Sequence, residues 1–321
     1  MSSFLLEVEN LKKYFPVTKG LFSRVAGQIH AVDGVSLRVK TKRTLALVGE
    51  SGCGKTTTGK TILKLLEPTA GKIVYNGTDI SAYNPAQMKT LRRDMQIVFQ
   101  DPFASLNPRN TVGGIVGAGL EIHALVPPKK REAQVAALLE KVGLEPDYMK
   151  RYPHEFSGGQ RQRIGIARAL SVDPKLIIGD EPFSALDVSI QAQIINLLED
   201  LQKKYGLTYI IIAHDLSVVS HIADEVAVMY LGKILEFGST KTVYDNPQHP
   251  YTEALLSAVP VPDPLAKRRR IVLKGDVPSP LNPPKGCRFH PRCHHRFEPC
   301  DQLEPKLIKI ADNHLVACHL R

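Results

Sequence analysis

The sequence predicts an α/β fold with central parallel strands, and three observations support this. A short apolar stretch, Thr44 to Val48, runs into a glycine-rich turn and then into a helical pattern. Two uninterrupted apolar runs follow, at residues 174–179 and 208–213, as expected of parallel strands that are covered on both faces. A helical pattern at 190–204 fills the gap between them, and strands alternating with helices indicate an α/β core.

The elements before the glycine-rich turn are predicted from their apolar patterns. Residues 4–9 predict a first strand that ends near Asn10. Residues 29–40 alternate apolar and polar side chains, as a half-buried strand does. Between them, residues 20–28 are glycine-bearing and basic, so a surface loop is expected there.

The elements after the turn follow from start, stop and hairpin signals. Residues 57–66 predict a helix that stops within 67–71. The pair Asn76-Gly77 between two short apolar stretches predicts a β-hairpin. Further elements are expected at 95–99 (a strand), 110–150 (helical, most clearly 128–144) and 157–170 (a helix).

The character of the chain changes past Gly232. Prolines cluster between Pro260 and Pro284, around the basic run Lys267 to Arg270. This composition predicts a linker and a compact appendage that adds no strand to the sheet. The basic run itself is interpreted as a solvated loop, with an anionic membrane surface or a neighbouring subunit as the alternative contact.

The totals narrow the class of protein. The 321 residues suit one large or two medium domains, and 43% hydrophobic with 23% charged residues is an ordinary globular composition. We expect neither a signal peptide nor a membrane span, because the first residues lack a basic and apolar leader and no run of eighteen apolar residues occurs. The net charge of +10 does not choose between nucleic acid, a membrane surface and a soluble basic surface. Five cysteines without a secretion signal favour metal or thiol chemistry over disulfides.

The glycine-rich turn matches the P-loop pattern G-x-x-x-x-G-K-[ST] at Gly49, Gly54, Lys55 and Thr56. Glycines let successive backbone N–H groups converge on a polyphosphate, and the helix start adds further donors. Lys55 is expected to reach the β- and γ-phosphates, and the Thr56 hydroxyl to ligate Mg²⁺. The predicted nucleotide-binding residues of this turn are Gly49, Glu50, Ser51, Gly52, Cys53, Gly54, Lys55, Thr56 and Thr57.

A second acidic motif narrows the chemistry. The apolar run at 176–179 ends on Asp180 and Glu181. Asp180 is placed to hold Mg²⁺, directly or through water, and Glu181 to act as general base on an attacking water. The sequence therefore predicts hydrolysis of a nucleoside triphosphate.

The segment Phe156-Ser157-Gly158-Gly159-Gln160 opens a helix with small residues, so an anion can approach its backbone donors. A chain with a P-loop has no need of a second phosphate-binding helix, which suggests a nucleotide held by another subunit. The segment resembles the signature motif of ATP-binding cassette (ABC) ATPases, usually Leu-Ser-Gly-Gly-Gln, with Phe156 in place of leucine. Ser157, Gly158, Gly159 and Gln160 are the predicted contacts to that nucleotide.

Other motifs match the same family in order. Gln100 resembles the Q-loop glutamine, which ligates Mg²⁺; residues 184–187 resemble the D-loop; and His214 resembles the switch histidine. Phe15 falls where the family places its base-stacking aromatic, with Tyr14 as second choice. The resemblance implies a RecA-like P-loop core with an antiparallel β subdomain and a helical subdomain at about 101–165.

The resemblance also implies partners. Two ATP-binding domains would close on two ATP–Mg²⁺, each held between one P-loop and the opposite signature motif. The second domain would be a paralogous or identical ATPase subunit, and closure would drive two transmembrane permease subunits. The chain is then expected on the cytoplasmic face of the plasma membrane, with its nucleotide-binding domain at 1–235.

The C-terminal domain, predicted at 236–321, points to a subfamily. Residues 246–252 and 286–300 resemble the tail of dipeptide and oligopeptide importer ATPases, which act with a peptide-binding protein. Cys287, Cys293, Cys300 and Cys318 have the spacing C-x5-C-x6-C-x17-C, and soft thiolates suit zinc or an iron–sulfur cluster. The resemblance implies a small iron–sulfur appendage with a [4Fe–4S] cluster on these four cysteines. Zinc stays open as the alternative, with these histidines as further ligands: His290, His294, His295, His314 and His319.

Three competing functions remain at this stage. Nickel importers share the architecture, so the peptide assignment is an analogy. A soluble cassette ATPase acting on nucleic acid or ribosomes would suit the positive charge, but ribosome-acting relatives usually carry two cassettes and chromosome-maintenance relatives a long coiled coil. No nucleic-acid partner is therefore expected. Intact Glu181 and His214 argue against a sensor that binds ATP without hydrolysing it.

Overall fold

The computed structural model describes residues 4–19, 24–184, 186–259 and 270–321. Its strands are β1 Phe4–Lys19, β2 Arg24–Lys40, β3 Thr44–Val48, β4 Ala70–Tyr75, β5 Thr78–Asp79, β6 Met95–Val98, β7 Leu176–Asp180, β8 Thr208–Ala213, β9 Glu225–Tyr230, β10 Lys233–Ser239, β11 Ile308–Ala311 and β12 His314–Val316. Its α-helices are α1 Lys55–Ile62, α2 Pro85–Leu91, α3 Pro102–Ser105, α4 Val112–Ile122, α5 Pro128–Lys141, α6 Gly158–Leu170, α7 Val188–Tyr205, α8 Leu216–Ile222, α9 Thr240–Asp245 and α10 Pro250–Ser257. Short 3-10 helices lie at Pro146–Lys150, Pro153–Glu155 and His290–Arg292.

The chain forms two compact units. The first joins Met1–Ala82 to Ile212–Arg321, and the second is Tyr83–Ile211. No helix in the described part of the chain is both long enough and apolar enough to cross a membrane.

The first unit contains an antiparallel sheet in the order β2-β1-β4-β5. Here β1 pairs with β2 along its whole length, from Phe4 opposite Lys40 to Lys19 opposite Arg24. The prediction that the first strand ends near Asn10 is wrong, because a bulge between Val8 and Leu11 absorbs Asn10 at φ 50° and pairing continues beyond it. The loop predicted at 20–28 is wrong from Arg24 onward, where β2 begins; residues 20–23 lie outside the described residues.

The first unit also contains strands in the order β11-β12-β10-β9-β3. β3 runs parallel to β9 and is buried at every position, which explains its apolar composition. β12 pairs with β10, with Leu315 opposite Phe237. The prediction that the C-terminal appendage adds no strand is therefore wrong. Only Arg270 of the basic run Lys267 to Arg270 lies within the described residues.

The second unit contains β8 as far as Ile211, then β7 and β6 in that order across the sheet, together with helices α2 to α7. β6 runs parallel to β7, and the strand β7 is buried throughout. The helices predicted between 110 and 150 are α4 and α5, and the helix expected from about Ser157 is α6. In the first unit, α1 ends at Ile62 rather than near Leu66, because Lys64 adopts a left-handed conformation at φ 49° and donates its Nζ to the Ser81 carbonyl at 2.8 Å.

Candidate nucleotide site and cysteine-lined cavity

The P-loop lies between β3 and α1 in the first unit. Gly49 and Gly54 have positive φ angles of 149° and 107°. A Cβ on Gly49 would lie 2.1 Å from the Met229 carbonyl oxygen, and one on Gly54 would lie 2.0 Å from the Ala31 carbonyl oxygen. Both positions therefore require glycine. This conformation is the one in which successive N–H groups can face a polyphosphate.

Lys55 is the buried cation of this loop. Its side chain is 4% exposed, and its Nζ donates to the carbonyl oxygens of Gly49 at 2.7 Å and Glu50 at 3.0 Å. The ammonium group is thus held on the inside of the loop, where it can meet the phosphates. Burial raises the pKa of the neighbouring Cys53 thiol, whose sulfur lies 3.8 Å from Lys55 Nζ.

Two residues from distant parts of the sequence hold Glu50. The Glu50 backbone N–H donates to the Tyr251 hydroxyl at 2.9 Å, and the Glu50 carboxylate accepts from Arg292. Sequence reasoning missed both partners. Tyr251 lies in a tail motif that the sequence does identify, but a contact between residues 201 positions apart carries no local signal.

The second unit brings two of the predicted catalytic residues together. Gln100 Nε2 donates to Glu181 Oε2 at 3.1 Å, and Asp180 is buried at the end of β7. Glu181 adopts φ 49°, a left-handed conformation that non-glycine residues rarely take. Such strain is a common mark of functional sites. Glu181 directly follows Asp180, the last residue of β7.

The signature segment forms the N-terminus of α6. Ser157 caps the helix by accepting from the Gln160 N–H at 3.3 Å, and the Gln160 side chain accepts from the Ser157 N–H at 3.0 Å. Ser157 and Gly158 are exposed, whereas Phe156 is buried. Phe156 packs edge-on against Tyr148, with ring centroids 5.3 Å apart. The phenylalanine thus serves the core of this unit and leaves the exposed polar positions unchanged.

The remaining predicted residues lie in loops beside β8 and α7 and within β1. His214 is exposed immediately after β8, in the first unit. Of the D-loop, Ala185 lies outside the described residues, and Asp187 is the residue before α7. Phe15 is half-buried on β1. Tyr14 stacks on His30 at 4.2 Å and donates its hydroxyl to Asp33 at 2.5 Å, and burial together with this carboxylate raises the pKa of Tyr14 to about 12.

The four cysteines of the tail line one small cavity, together with residues that include His249, Phe289 and Phe297. None of the four forms a disulfide. Burial raises the pKa of the Cys287 thiol to about 11 and raises those of Cys293 and Cys318 as well. For each of these three, a backbone N–H two residues further on favours the thiolate: those of Phe289, His295 and Leu320.

Of the tail histidines named as alternative ligands, His290, His295 and His319 line the same cavity as the cysteines, and all five have further contacts. His314 Nε2 lies 2.7 Å from Glu236 Oε1, in a buried pair. His290 and His319 contact the carbonyl oxygens of Cys287 and Leu303 at 2.9 and 2.8 Å. His294 and His295 lie at the surface near Glu253 of α10. The possible metal-ligand atoms of these three residues all lie within 4.8 Å of one another.

Comparisons with known proteins identify the family of this chain. The ABC transporter family pattern matches residues 32–184, and the oligopeptide/dipeptide transporter C-terminal region matches residues 235–300. The oligopeptide transport ATP-binding protein AppF of Bacillus subtilis is 55% identical, over 98% of this chain and 97% of that protein. The dipeptide transport ATP-binding protein DppF of Haemophilus influenzae is 52% identical, over 98% of this chain and 96% of that protein.

A solved structure matches as well. The ATP-binding cassette MJ0796, in a dimeric post-hydrolysis state bound to ADP and Pi, has a TM-score of 0.64 and 26% identity, covering 73% of this chain and 98% of that chain. The matches to AppF and DppF, at 55% and 52% identity over 98% of this chain, show the family. The chain belongs to the ABC transporter family of ATP-binding proteins and carries that family's oligopeptide/dipeptide transporter C-terminal region.

Proposed function

We propose that this chain is the ATP-hydrolysing subunit of an ABC transporter that imports dipeptides or oligopeptides. The observation that carries the proposal is the identity of 55% and 52%, over 98% of the chain, to an oligopeptide and a dipeptide transport ATP-binding protein. The match includes the C-terminal region at 235–300, which is the part that bears the transporter type in its name.

The geometry of each half of the site supports ATP hydrolysis. The P-loop offers its N–H groups and the buried Lys55 to the phosphates. Thr56, Gln100 and Asp180 would hold Mg²⁺, whose oxygen ligand preference suits a hydroxyl, an amide oxygen and a carboxylate. The metal would neutralise charge on the phosphates. Since Gln100 Nε2 donates to Glu181, the amide oxygen of Gln100 stays available to the metal and the carboxylate of Glu181 is oriented as the base.

The exposed signature segment supports a composite site. Ser157 and Gly158 lie at the start of a 13-residue helix, where unpaired N–H groups and the helix dipole favour an anion. We propose that this end meets the γ-phosphate held by the P-loop of a second ATPase subunit, a paralogue or a copy of this chain, while His214 of that subunit contacts the same phosphate. The dimeric state of the matching cassette supports this arrangement.

The remaining partners follow from the same family. We propose that two permease subunits hold the chain at the cytoplasmic face of the plasma membrane, with a peptide-binding protein delivering the substrate. Residues 1–235 would form the nucleotide-binding domain and 236–321 the C-terminal domain, with Phe15 as the aromatic that stacks on the base. Tyr14 suits that role less, because His30 and Asp33 already occupy its ring face and hydroxyl.

Replacing the proposed base tests the function. We expect Glu181→Gln to lower the steady-state ATPase rate by about 10² to 10⁴, the usual worth of a positioned general base. ATP affinity should persist, because the P-loop is untouched, and ATP should then accumulate in a trapped dimer seen by size-exclusion chromatography.

The matched control is Glu140→Gln, an exposed carboxylate on α5 in the same unit. It should leave the turnover and the elution volume unchanged. Normal turnover in Glu181→Gln would remove this residue from the base role. Peptide-stimulated hydrolysis in the complete transporter, compared with nickel-stimulated hydrolysis, separates the two importer types.

We also propose that the cysteine-lined cavity holds a [4Fe–4S] cluster. All four cysteines line one cavity, where burial raises the pKa of Cys287, Cys293 and Cys318 and a backbone N–H group near each of these three thiols partly offsets that rise. These are features that iron–sulfur ligation uses. When bound, the cluster would supply a covalent cross-link between Cys287 and Cys318, so that this proline-rich region is tied together with little core of its own.

The grouping of the cysteines supports a cluster over a single zinc ion. Tetrahedral zinc with Zn–S bonds of about 2.3 Å needs its four sulfurs about 3.8 Å apart. Among the described residues, no three of these cysteine sulfurs lie within 4.8 Å of one another. A cluster binds each sulfur at a different iron and therefore accepts the wider spread. Of the alternative histidine ligands, His314 is paired with Glu236, whereas His290, His295 and His319 line the cavity and keep zinc open as the alternative.

Metal analysis of protein purified without air tests this assignment. We expect iron and acid-labile sulfide in equal amounts, with a broad visible absorbance, and loss of both in Cys300→Ser. Ser36→Ala in the same unit serves as the control and should keep the full iron content. Zinc at one ion per chain with no sulfide would overturn the cluster in favour of the alternative.

A further inference from the structure

The C-terminal region reaches the P-loop through one ion pair. Arg292 Nη1 donates to Glu50 Oε2 at 2.6 Å, and Arg292 Nη2 donates to Glu50 Oε1 at 3.1 Å. The pair is a two-bond fork between charged groups, the strongest kind of side-chain hydrogen bonding in proteins. The Arg292 side chain is only 8% exposed and that of Glu50 28%, so solvent screens this pair much less than a surface pair.

The backbone of the same P-loop residue is also held. Tyr251, which is fully buried, accepts a hydrogen bond from the Glu50 N–H at 2.9 Å. The Glu50 carbonyl oxygen in turn accepts from Lys55 Nζ at 3.0 Å. Fixing Glu50 at its side chain and at its N–H therefore fixes the carbonyl that orients the phosphate-binding lysine.

These two contacts rest on a rigid aromatic base. The rings of Tyr230, Tyr251 and Phe289 pack together, with centroids 4.8 to 5.4 Å apart, and the Arg292 guanidinium lies 6.0 Å from the Tyr230 ring. Tyr230 ends β9, the strand parallel to β3. We call Tyr251, Phe289 and Arg292 the C-terminal brace.

Two of the three brace residues, Phe289 and Arg292, belong to the chain segment that carries the cysteines. Arg292 ends the 3-10 helix His290–Arg292 and directly precedes Cys293. Phe289 lies two residues after Cys287. The third brace residue, Tyr251, lies two residues after His249, which lines the cysteine cavity. Any change that loosens this segment therefore also loosens the hold on Glu50.

We propose that Arg292 and Tyr251 are positioning residues that hold the P-loop in its nucleotide-binding conformation, so that the C-terminal region sets the affinity for nucleotide. If the P-loop adopts its nucleotide-binding conformation only part of the time, the apparent affinity for nucleotide is reduced in proportion to that fraction. Arg292 also neutralises a carboxylate that would otherwise repel the phosphates. The proposal rests on nucleotide binding at this P-loop, as proposed above.

Two variants test it in the full-length protein, with ATP and ADP as probes. Arg292→Ala should weaken ADP binding by about fivefold to twentyfold, since a charge-assisted pair is lost. Tyr251→Phe removes only the hydroxyl and should weaken binding by about threefold. In both, KM for ATP should rise while kcat stays within about twofold, because Gln100 and Glu181 are untouched.

The matched control is Arg296→Ala. Arg296 lies in the same segment and pairs with Asp301 at 2.7 Å, but both side chains are exposed. Its nucleotide affinity and KM should equal those of the wild type. Unchanged affinity in Arg292→Ala and Tyr251→Phe, or losses equal to that of Arg296→Ala, would overturn the brace.

A double substitution separates positioning from general damage. If Arg292 acts through Glu50, adding Glu50→Gln to Arg292→Ala should cause no further loss of affinity, so the effects are not additive. Additive losses would contradict the proposal. If Arg292→Ala does not fold, as judged by its melting temperature, Arg292→Lys and Tyr251→Phe give the same comparison. Failure of the wild type to bind nucleotide would remove the proposed function, whereas normal wild-type binding with unaffected variants removes only the brace.

Discussion

At the scale of single residues, Glu236 holds several parts of the first unit together. It is fully buried on β10. Its carboxylate accepts hydrogen bonds from the backbone N–H groups of Gln248 and His249, at 2.8 and 2.9 Å, and contacts His314 Nε2 at 2.7 Å. One side chain thus fixes the turn before α10 and the strand β12. A buried charge is tolerable only when its partners satisfy it, as they do here.

Glu236→Ala should therefore be among the most destabilising substitutions in the C-terminal region. Removing one member of a buried, hydrogen-bonded charge network costs about 3–5 kcal/mol, because the donors left behind stay buried without an acceptor. The measurement is the midpoint of thermal and denaturant unfolding. His314→Ala should cost less, because it leaves both backbone donors paired with Glu236.

Asp312→Ala provides the comparison. Asp312 lies in the turn between β11 and β12, two residues before His314, and its ion pair with Lys309 is exposed. Its unfolding midpoint should match that of the wild type, as exposed pairs contribute little. Equal midpoints for Glu236→Ala and Asp312→Ala would show that the buried network does not stabilise the fold.

The same scale shows what the sequence could predict. Gly49, Gly54 and Lys55 follow from spacing alone, because a phosphate-binding turn is a local structure and its residues lie within a few positions of one another. Arg292 and Tyr251 could not be predicted, because their role depends on contacts with Glu50 that only the folded chain creates. The strained φ of Glu181 was equally invisible, since a motif specifies residue types and not dihedral angles.

At the scale of elements, strands with a clear apolar run were predicted and strands stabilised by partners were not. β3, β7 and β8 are buried throughout, so composition alone identifies them. β2 begins at Arg24, in a basic, glycine-bearing stretch without a strand pattern, because pairing with β1 supplies its hydrogen bonds. β11 and β12 are three or four residues long, too short to show a period.

The strand β12 pairs with the edge of β10, so we expect it to protect the backbone N–H groups of β10 from exchange. Val316 is fully buried and lies opposite Glu236. Val316→Asp places a second carboxylate in that buried position, so β12 should detach and the backbone N–H groups of β10 should exchange faster with deuterium. Hydrogen–deuterium exchange with peptide-level detection measures this, and β3 should stay protected.

Ile308→Asp is the control for that experiment. Ile308 lies on β11 opposite Val316, but it is exposed. The same charge there should leave β10 protected. Equal exchange of β10 in both variants would show that β12 does not protect this edge.

At the scale of the whole molecule, the compact units do not follow the order of the chain, because one of them is built from two separate stretches. The first unit combines residues before Ala82 with residues after Ile212. The proline cluster after Val259 marks a change in composition, and the sequence showed that change correctly. The sequence did not indicate that a strand after the prolines, β12, pairs with β10. Amino-acid composition reflects the local environment of a segment and does not reveal which distant strand it contacts. The transporter type came from the tail motif, whose residues are themselves specific.

The capping arrangement at the start of α6 limits which backbone N–H groups of this helix are available to an anion. Ser157 and Gln160 bond to each other's backbone N–H groups, so two of the first donors are consumed within the helix itself. A helix leaves its first four N–H groups without intrahelical acceptors, which places the unspent donors on the two glycines, Gly158 and Gly159. An anion that approached this end of α6 would therefore meet two adjacent amides, beside which the side chains of Leu186 and Ile190 leave little room for anything larger than glycine.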